Sequence, residues 1–182
     1  MFDLKEFIEK CKTALNDESP ALSIESLVKE AIANPDAVRE AFSNAENVDH
    51  RGPITFACRN VNITVADVTT PPGLKSPAHN HNMWAVIGVY EGQELNRFYQ
   101  NENGVLEEKG ERLLTEGDIA VLGKEAIHAI ANPLSTVSSA LHVYGGDLVE
   151  QPDRSMWNPH TNKREDYDIS KILDYIAEMS TM

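Results

Sequence analysis

Between residues 54 and 145 the apolar residues recur with a period of two, and no helix-length pattern interrupts them. The segments ITFAC, NITVADVT, MWAVIGVY, LNRFYQ, RLL, IAVL, HAIA and SSALHVYG are rich in β-branched and aromatic residues. Pro-Gly, Glu-Gly, Asn-Gly and Gly-Asp turn signals separate them at short spacing. A parallel sheet needs crossover helices between its strands, so a βαβ fold is excluded. Short strands joined by tight turns give a closed or two-layered antiparallel structure, a barrel or a jelly roll. Asn103-Gly104 marks a hairpin between strands near 94–101 and 105–114.

The flanks read differently. In DLKEFIEKCKTAL, residues Phe2, Leu4, Phe7, Ile8, Cys11 and Leu15 form one stripe with Asp3 as its cap. A second periodic run spans 23–33 and starts at a serine, Ser23. Asn34-Pro35 then ends it and opens a short third helix, DAVREAF. A last helix is expected over 170–179, with Ile172, Leu173 and Ile176 on its apolar side. The reading is one domain over 1–182: a helical region at 1–50, a β-barrel at 51–145, and a tail with a helix at 146–182. The tail is too short for a core of its own.

Charge narrows the partners. There are 29 acidic and 16 basic residues, a net charge of −13, and the excess lies mostly in the outer segments. Such a surface repels nucleic acid and anionic lipid, so neither is expected as a partner. No stretch approaches the roughly 18 apolar residues of a membrane span, and MFDLKEFIEK lacks the apolar run of a secretory signal. The chain is therefore expected to be cytoplasmic. Two cysteines, Cys11 and Cys58, make neither a disulfide framework nor a thiolate metal site. A homodimer is compatible with a small barrel that has edge strands, though no residue specifies one.

Four of the six histidines stand at informative places. His79 and His81 are two apart, so on a strand both imidazoles share a face and can hold one ion. A pair of solvated surface histidines has the same spacing. His128 lies 47 residues after His81, and a small antiparallel barrel brings that separation back beside the pair. Three neutral imidazoles leave open positions on a metal, which a catalytic site needs and a structural site avoids. His142 and Tyr144 in LHVY again share a face. They are either a satisfied pair in the core wall or a relay that orients and protonates something bound to the metal.

PPGLKSPAHNHNMWAVIGVYEG resembles the first motif of the cupin superfamily, with Gly73, His79, His81 and Gly92 in its fixed places. GDIAVLGKEAIHAIAN resembles the second, through Gly117, His128 and Asn132. Together they cover about half the chain. The resemblance implies a jelly roll, the double-stranded β-helix, flanked by N-terminal helices and a short C-terminal one. The superfamily's glutamate ligand would fall at Val86, which cannot bind a metal, so the implied site is His79, His81 and His128. Within the superfamily the chain is similar to the thiol dioxygenases, which include cysteine and 3-mercaptopropionate dioxygenases. This implies ferrous iron, with Zn, Ni or Mn as other admissible divalent metals, and His142 and Tyr144 in the pocket. Those enzymes place a serine two residues before that histidine, where this chain has Ala140. Their tyrosine-crosslinked cysteine has no counterpart either, since Val86 lies near its position.

A substrate carboxylate calls for a planar bidentate donor. Arg59, in CRNVNITV, is the candidate, and Arg97, in LNRFY, is a second; either also reads as a surface arginine paired with the abundant acids. Trp84 follows the first histidine pair and is a candidate pocket wall or a core residue. The functional expectation is a non-haem iron dioxygenase that oxidises a small thiol carboxylic acid, cysteine-like or 3-mercaptopropionate-like, to its sulfinate with O₂. The alternative is a cupin metalloenzyme of different chemistry acting on a small acidic metabolite.

Overall fold

The computed structural model describes residues 2–181. Three helices come first. In α1 (Leu4–Ala14), the Asp3 carboxylate accepts from the backbone N–H groups of Lys5 and Glu6, which are otherwise orphaned at a helix start. Then come α2 (Pro20–Ile32) and α3 (Pro35–Ser43), the latter capped by the Asn34 side chain. The second helix thus begins three residues before Ser23, the start expected from its apolar period. Proline at the first helical position has its φ already set and lacks an N–H that would go unpaired there, so Pro20 opens the helix.

The strands are β1 (Asp49–Arg51), β2 (Ile54–Asn60), β3 (Ile63–Thr70), β4 (His79–Asn80), β5 (Ala85–Glu91), β6 (Gln93–Glu102), β7 (Val105–Thr115), β8 (Ile119–Leu122), β9 (Ile127–Ala131), β10 (Ser138–Tyr144), β11 (Ser155–Trp157) and β12 (Arg164–Asp166), followed by helix α4 (Ile169–Ser180). They form two six-stranded sheets, β1-β2-β3-β10-β5-β8 and β12-β11-β4-β9-β6-β7. All pairings are antiparallel, and from β3 to β10 the chain passes back and forth between the sheets around the β6–β7 hairpin. That order is a jelly roll. The fold class is therefore an all-β core with N-terminal helices and one C-terminal helix. At the hairpin tip Asn103 and Gly104 have φ of 54° and 85°, the left-handed pair a two-residue turn requires.

The helical layer covers the outer face of the first sheet. Leu4, Phe7, Ile8 and Cys11 of α1 and Ile24 and Val28 of α2 share one apolar cluster with Val65, Val86, Leu141 and Val143 of the sheet. Gly88 allows this approach: a Cβ there would lie 2.5 Å from Val28 Cγ1. A second cluster, including Phe56, Ala66, Ile87, Leu114 and Tyr144, fills the space between the sheets. The tail contributes more than a helix. β11 pairs with β4 and β12 pairs with β11, so residues 155–166 extend the second sheet. Among the described residues no helix is long and apolar enough to cross a membrane.

Candidate metal centre and its cavity

Register brings the histidines together. His79 of β4 stands directly opposite His128 of β9. β4 ends at Asn80, so His81 lies just past the strand rather than within it. It still reaches the same point, with its ring centroid 4.9 Å from that of His128. One nitrogen from each of the three rings lies within 4.8 Å of the others, and all three residues are at most 9% exposed.

The hydrogen bonds set which nitrogen each ring offers. Nδ1 of His79 donates to the Pro77 carbonyl at 3.0 Å, and Nδ1 of His128 donates to Oδ1 of Asn96 at 2.8 Å. Both rings therefore keep a bare Nε2. Nε2 of His128 is 3.4 Å from Nε2 of His81. At that distance the bare Nε2 of His128 can accept an N–H from His81, or both nitrogens can turn their lone pairs to one cation. Nitrogens about 2.1 Å from one ion, at tetrahedral to octahedral angles, stand roughly 3.0–3.4 Å apart, so this pair is spaced for a shared metal and the third nitrogen lies near enough to join with a small ring movement. Burial holds the His79 ring down at about 4, and burial with neighbouring imidazoles holds His81 and His128 well below the usual histidine range. At neutral pH all three are uncharged and ready to ligate. The residues present fit a metal ion held by three neutral imidazoles.

Beside this centre is a cavity of about 70 Å³. That is room for a few water-sized bodies, which suits a short organic acid. The three histidines, His142, Tyr144 and Arg154 line it, and Ile172, Leu173 and Ile176 of α4 close the apolar side. His142 and Tyr144 both point inward from β10, with Nδ1 of His142 2.7 Å from the tyrosine hydroxyl. The Tyr144 ring meets the edge of His81, centroids 5.0 Å apart. Burial pushes the phenol's pKa up and takes the His142 ring down to about 3, so both are neutral.

The structure places three expected site residues away from this cavity. Arg59 does not line the cavity; it pairs with Asp147 at 2.8 Å and ties β2 to the turn after β10. Arg97 faces outward because its neighbour Asn96, 1% exposed, takes the inward position of a strand that alternates. It is an exposed partner of Glu111 at 3.6 Å. Trp84 packs under the helical layer, where a Cβ on Gly145 would come within 2.2 Å of its ring. Of the remaining histidines, His50 contacts Thr55 and His160 pairs with Glu178 on the surface.

Arg154 is the cavity's arginine, and its sequence context does not mark it as one. It is 4% exposed and faces the cavity from the turn before β11. Its Nε donates to the Asn80 carbonyl at 3.0 Å, Nη1 donates to the Leu148 carbonyl, and the guanidinium lies 3.5 Å over the Tyr167 ring. Burial lowers its pKa, yet a guanidinium stays charged in proteins. Among the described residues no carboxylate pairs with it. Asn80, between the two histidines, holds this strand by accepting from Ser155 N at 2.7 Å. Only that pairing of β4 with β11 brings Arg154 to the site, and no local pattern around residue 154 announces it. Glu94 and Asn96, inward on β6, escape sequence reasoning for the same reason: an alternating strand does not reveal which of its faces looks toward a cavity.

No family model matches the chain. Among solved structures, peruvianin-I, a cysteine peptidase from Thevetia peruviana latex, is 17% identical over 52% of this chain, with a TM-score of 0.42. The chain spans 55% of that protein's length. An RmlC-like cupin family protein with a double-stranded β-helix fold from Methanocaldococcus jannaschii is 13% identical, covering 57% of this chain and 92% of that one, TM-score 0.45. BH2720 from Bacillus halodurans is 11% identical over 63% of this chain and 80% of its own, TM-score 0.49. At these identities and scores the likeness extends to no activity.

Proposed function

We propose that this protein oxidises a small thiol carboxylic acid to its sulfinate with O₂. The observation that carries the reading is Arg154, a buried guanidinium with no carboxylate partner among the described residues, lining one small cavity with three metal-competent imidazoles. A ferrous ion held by His79, His81 and His128 would supply the centre at which a thiolate and O₂ are brought together. The reaction balances without a further reductant: both oxygen atoms of O₂ pass to sulfur, whose four-electron oxidation matches the reduction of O₂.

The chain's own residues account for the rest. Arg154 binds the substrate carboxylate by charge-assisted hydrogen bonds, which fixes the distance from carboxylate to sulfur. The isoleucine and leucine side chains of α4 give the cavity an apolar wall against which the substrate's methylene groups would pack. Tyr144, neutral in its buried position, holds a hydroxyl at the cavity, and His142 orients it. Cysteine and 3-mercaptopropionate carry the thiol and the carboxylate that such a site would take.

The test is anaerobic loading with Fe(II), then O₂ uptake with 3-mercaptopropionate, cysteine and thiols that lack a carboxylate. Uptake that requires both the thiol and the carboxylate supports the reading. Iron-loaded protein that consumes no O₂ with any of them overturns it. In that case an uncharged three-histidine set, which also accepts Zn, Ni or Mn, points to different chemistry on a small acidic metabolite.

A further inference from the structure

The inward face of β6 carries a carboxyl that the reaction above leaves without a task. Glu94 is 3% exposed and, among the described residues, pairs with no lysine or arginine. Its Oε1 accepts from Nδ2 of Asn96 at 2.8 Å. Its Oε2 stands 3.8 Å from Nε2 of His142, a buried ring nitrogen that has no hydrogen-bond partner among the described residues. Ala140, two residues before His142 on the same strand face, offers no hydroxyl in that direction. The groups form a line, Asn96–Glu94–His142–Tyr144. It begins at the residue that accepts from Nδ1 of His128 and ends at the hydroxyl lining the cavity.

A neutral imidazole has one N–H and one lone pair, so whatever faces Nε2 decides what Nδ1 offers Tyr144. Opposite a carboxylate, Nε2 keeps the proton and bare Nδ1 accepts the tyrosine's hydrogen. The phenol oxygen then presents its lone pairs to the cavity, able to accept the proton of an entering thiol. Opposite a donor, Nε2 becomes the acceptor, Nδ1–H donates to the phenol oxygen, and the tyrosine's hydrogen turns into the cavity instead.

Resting on the thiol-oxidation reading, we propose that Glu94 is a positioning residue that fixes the tautomer of His142 and, through it, the direction of the Tyr144 hydroxyl. Burial pushes the Glu94 carboxyl up to about 7, so the ionised form is studied well above that pH.

The experiment compares wild type with Glu94→Gln by nitrogen-15 NMR of the histidine rings in the zinc-loaded, diamagnetic protein. The glutamine keeps an oxygen for Asn96 and presents its NH₂ to His142. Wild type is expected to carry its proton at Nε2 of His142, and Glu94→Gln at Nδ1, with metal content unchanged. Glu94→Ala, which leaves no carboxylate opposite Nε2, is expected to lose the Nε2–H preference as well. In the iron-loaded enzyme Glu94→Gln should lower kcat about tenfold or more, in the range lost with a positioned proton acceptor. KM for the thiol acid should stay within about twofold, because Arg154 is untouched. An identical tautomer in wild type and Glu94→Gln overturns the proposal, even if thiol oxidation is observed. A tautomer exchange in a protein that oxidises no thiol leaves Glu94's control of His142 standing and removes the thiol-oxidation reading alone.

Discussion

Replacing Arg154 by methionine separates substrate recognition from metal chemistry. Methionine retains apolar contact with Tyr167 and lines the same cavity, but removes the positive charge and all the donors of the guanidinium. A hydrogen bond to a charged group contributes about 1.5–3 kcal/mol. At about 1.4 kcal/mol per decade, KM for 3-mercaptopropionate should rise about 10- to 150-fold. The carbonyls of Asn80 and Leu148 lose their donor in the same variant, which costs about 1–3 kcal/mol of stability for each group left unpaired. The assay is O₂ uptake by iron-loaded protein at saturating O₂. It compares 3-mercaptopropionate with its alcohol analogue, in which a hydroxyl replaces the carboxylate. The alcohol should be a poor substrate of wild type and change little in the variant. Arg154→Lys should recover only part of the loss, since an ammonium cannot fork onto a carboxylate. If both thiols lose equally, or neither loses, Arg154 is not the carboxylate partner.

His81→Ala should abolish stoichiometric metal binding, read by metal analysis of the purified protein; full occupancy would remove His81 from the ligand set. Gly88→Ala should destabilise the fold by about 1–3 kcal/mol, because the added methyl would lie 2.5 Å from Val28 Cγ1; an unchanged melting temperature would contradict the tight seat of α2. Glu94 should leave a signature in stability against pH. Its folded pKa of about 7 lies above the ordinary 4.5, so the folded state holds the proton more tightly. Its contribution is fully present below pH 4.5 and is lost as pH rises through about 7, a fall of about 3 kcal/mol. Denaturant titrations should show that Glu94→Gln, with no proton to lose, lacks this component; parallel pH profiles for the two proteins would refute it.

The fold is legible in the sequence because alternation and turn chemistry are local. A period of two over residues 54–145 requires antiparallel layers, and Asn103-Gly104 marks its hairpin to the residue. The helix caps Asp3 and Asn34 are equally readable, whereas Pro20 sits in a polar stretch that reads as a break. The histidines are legible by spacing alone, and the register of β4 on β9 explains why their rings meet. The arginine is not. Choosing between Arg59, Arg97 and Arg154 requires knowing which strand face looks inward and which distant segment returns to the sheet. The pairing of Met156 with His79 carries that information, and it is a contact between residues far apart in the chain. Glu94 is hidden likewise, because a charge on a strand ordinarily marks the solvent face.

The central claim is that this cavity joins O₂ to the sulfur of a small thiol acid. Mass spectrometry of the product formed by the iron-loaded protein under isotopically labelled O₂ tests it most directly. The expected product is a sulfinate carrying two labelled oxygen atoms, formed in step with O₂ consumed and absent from metal-free protein. A disulfide, or a thiol returned without label, would contradict it.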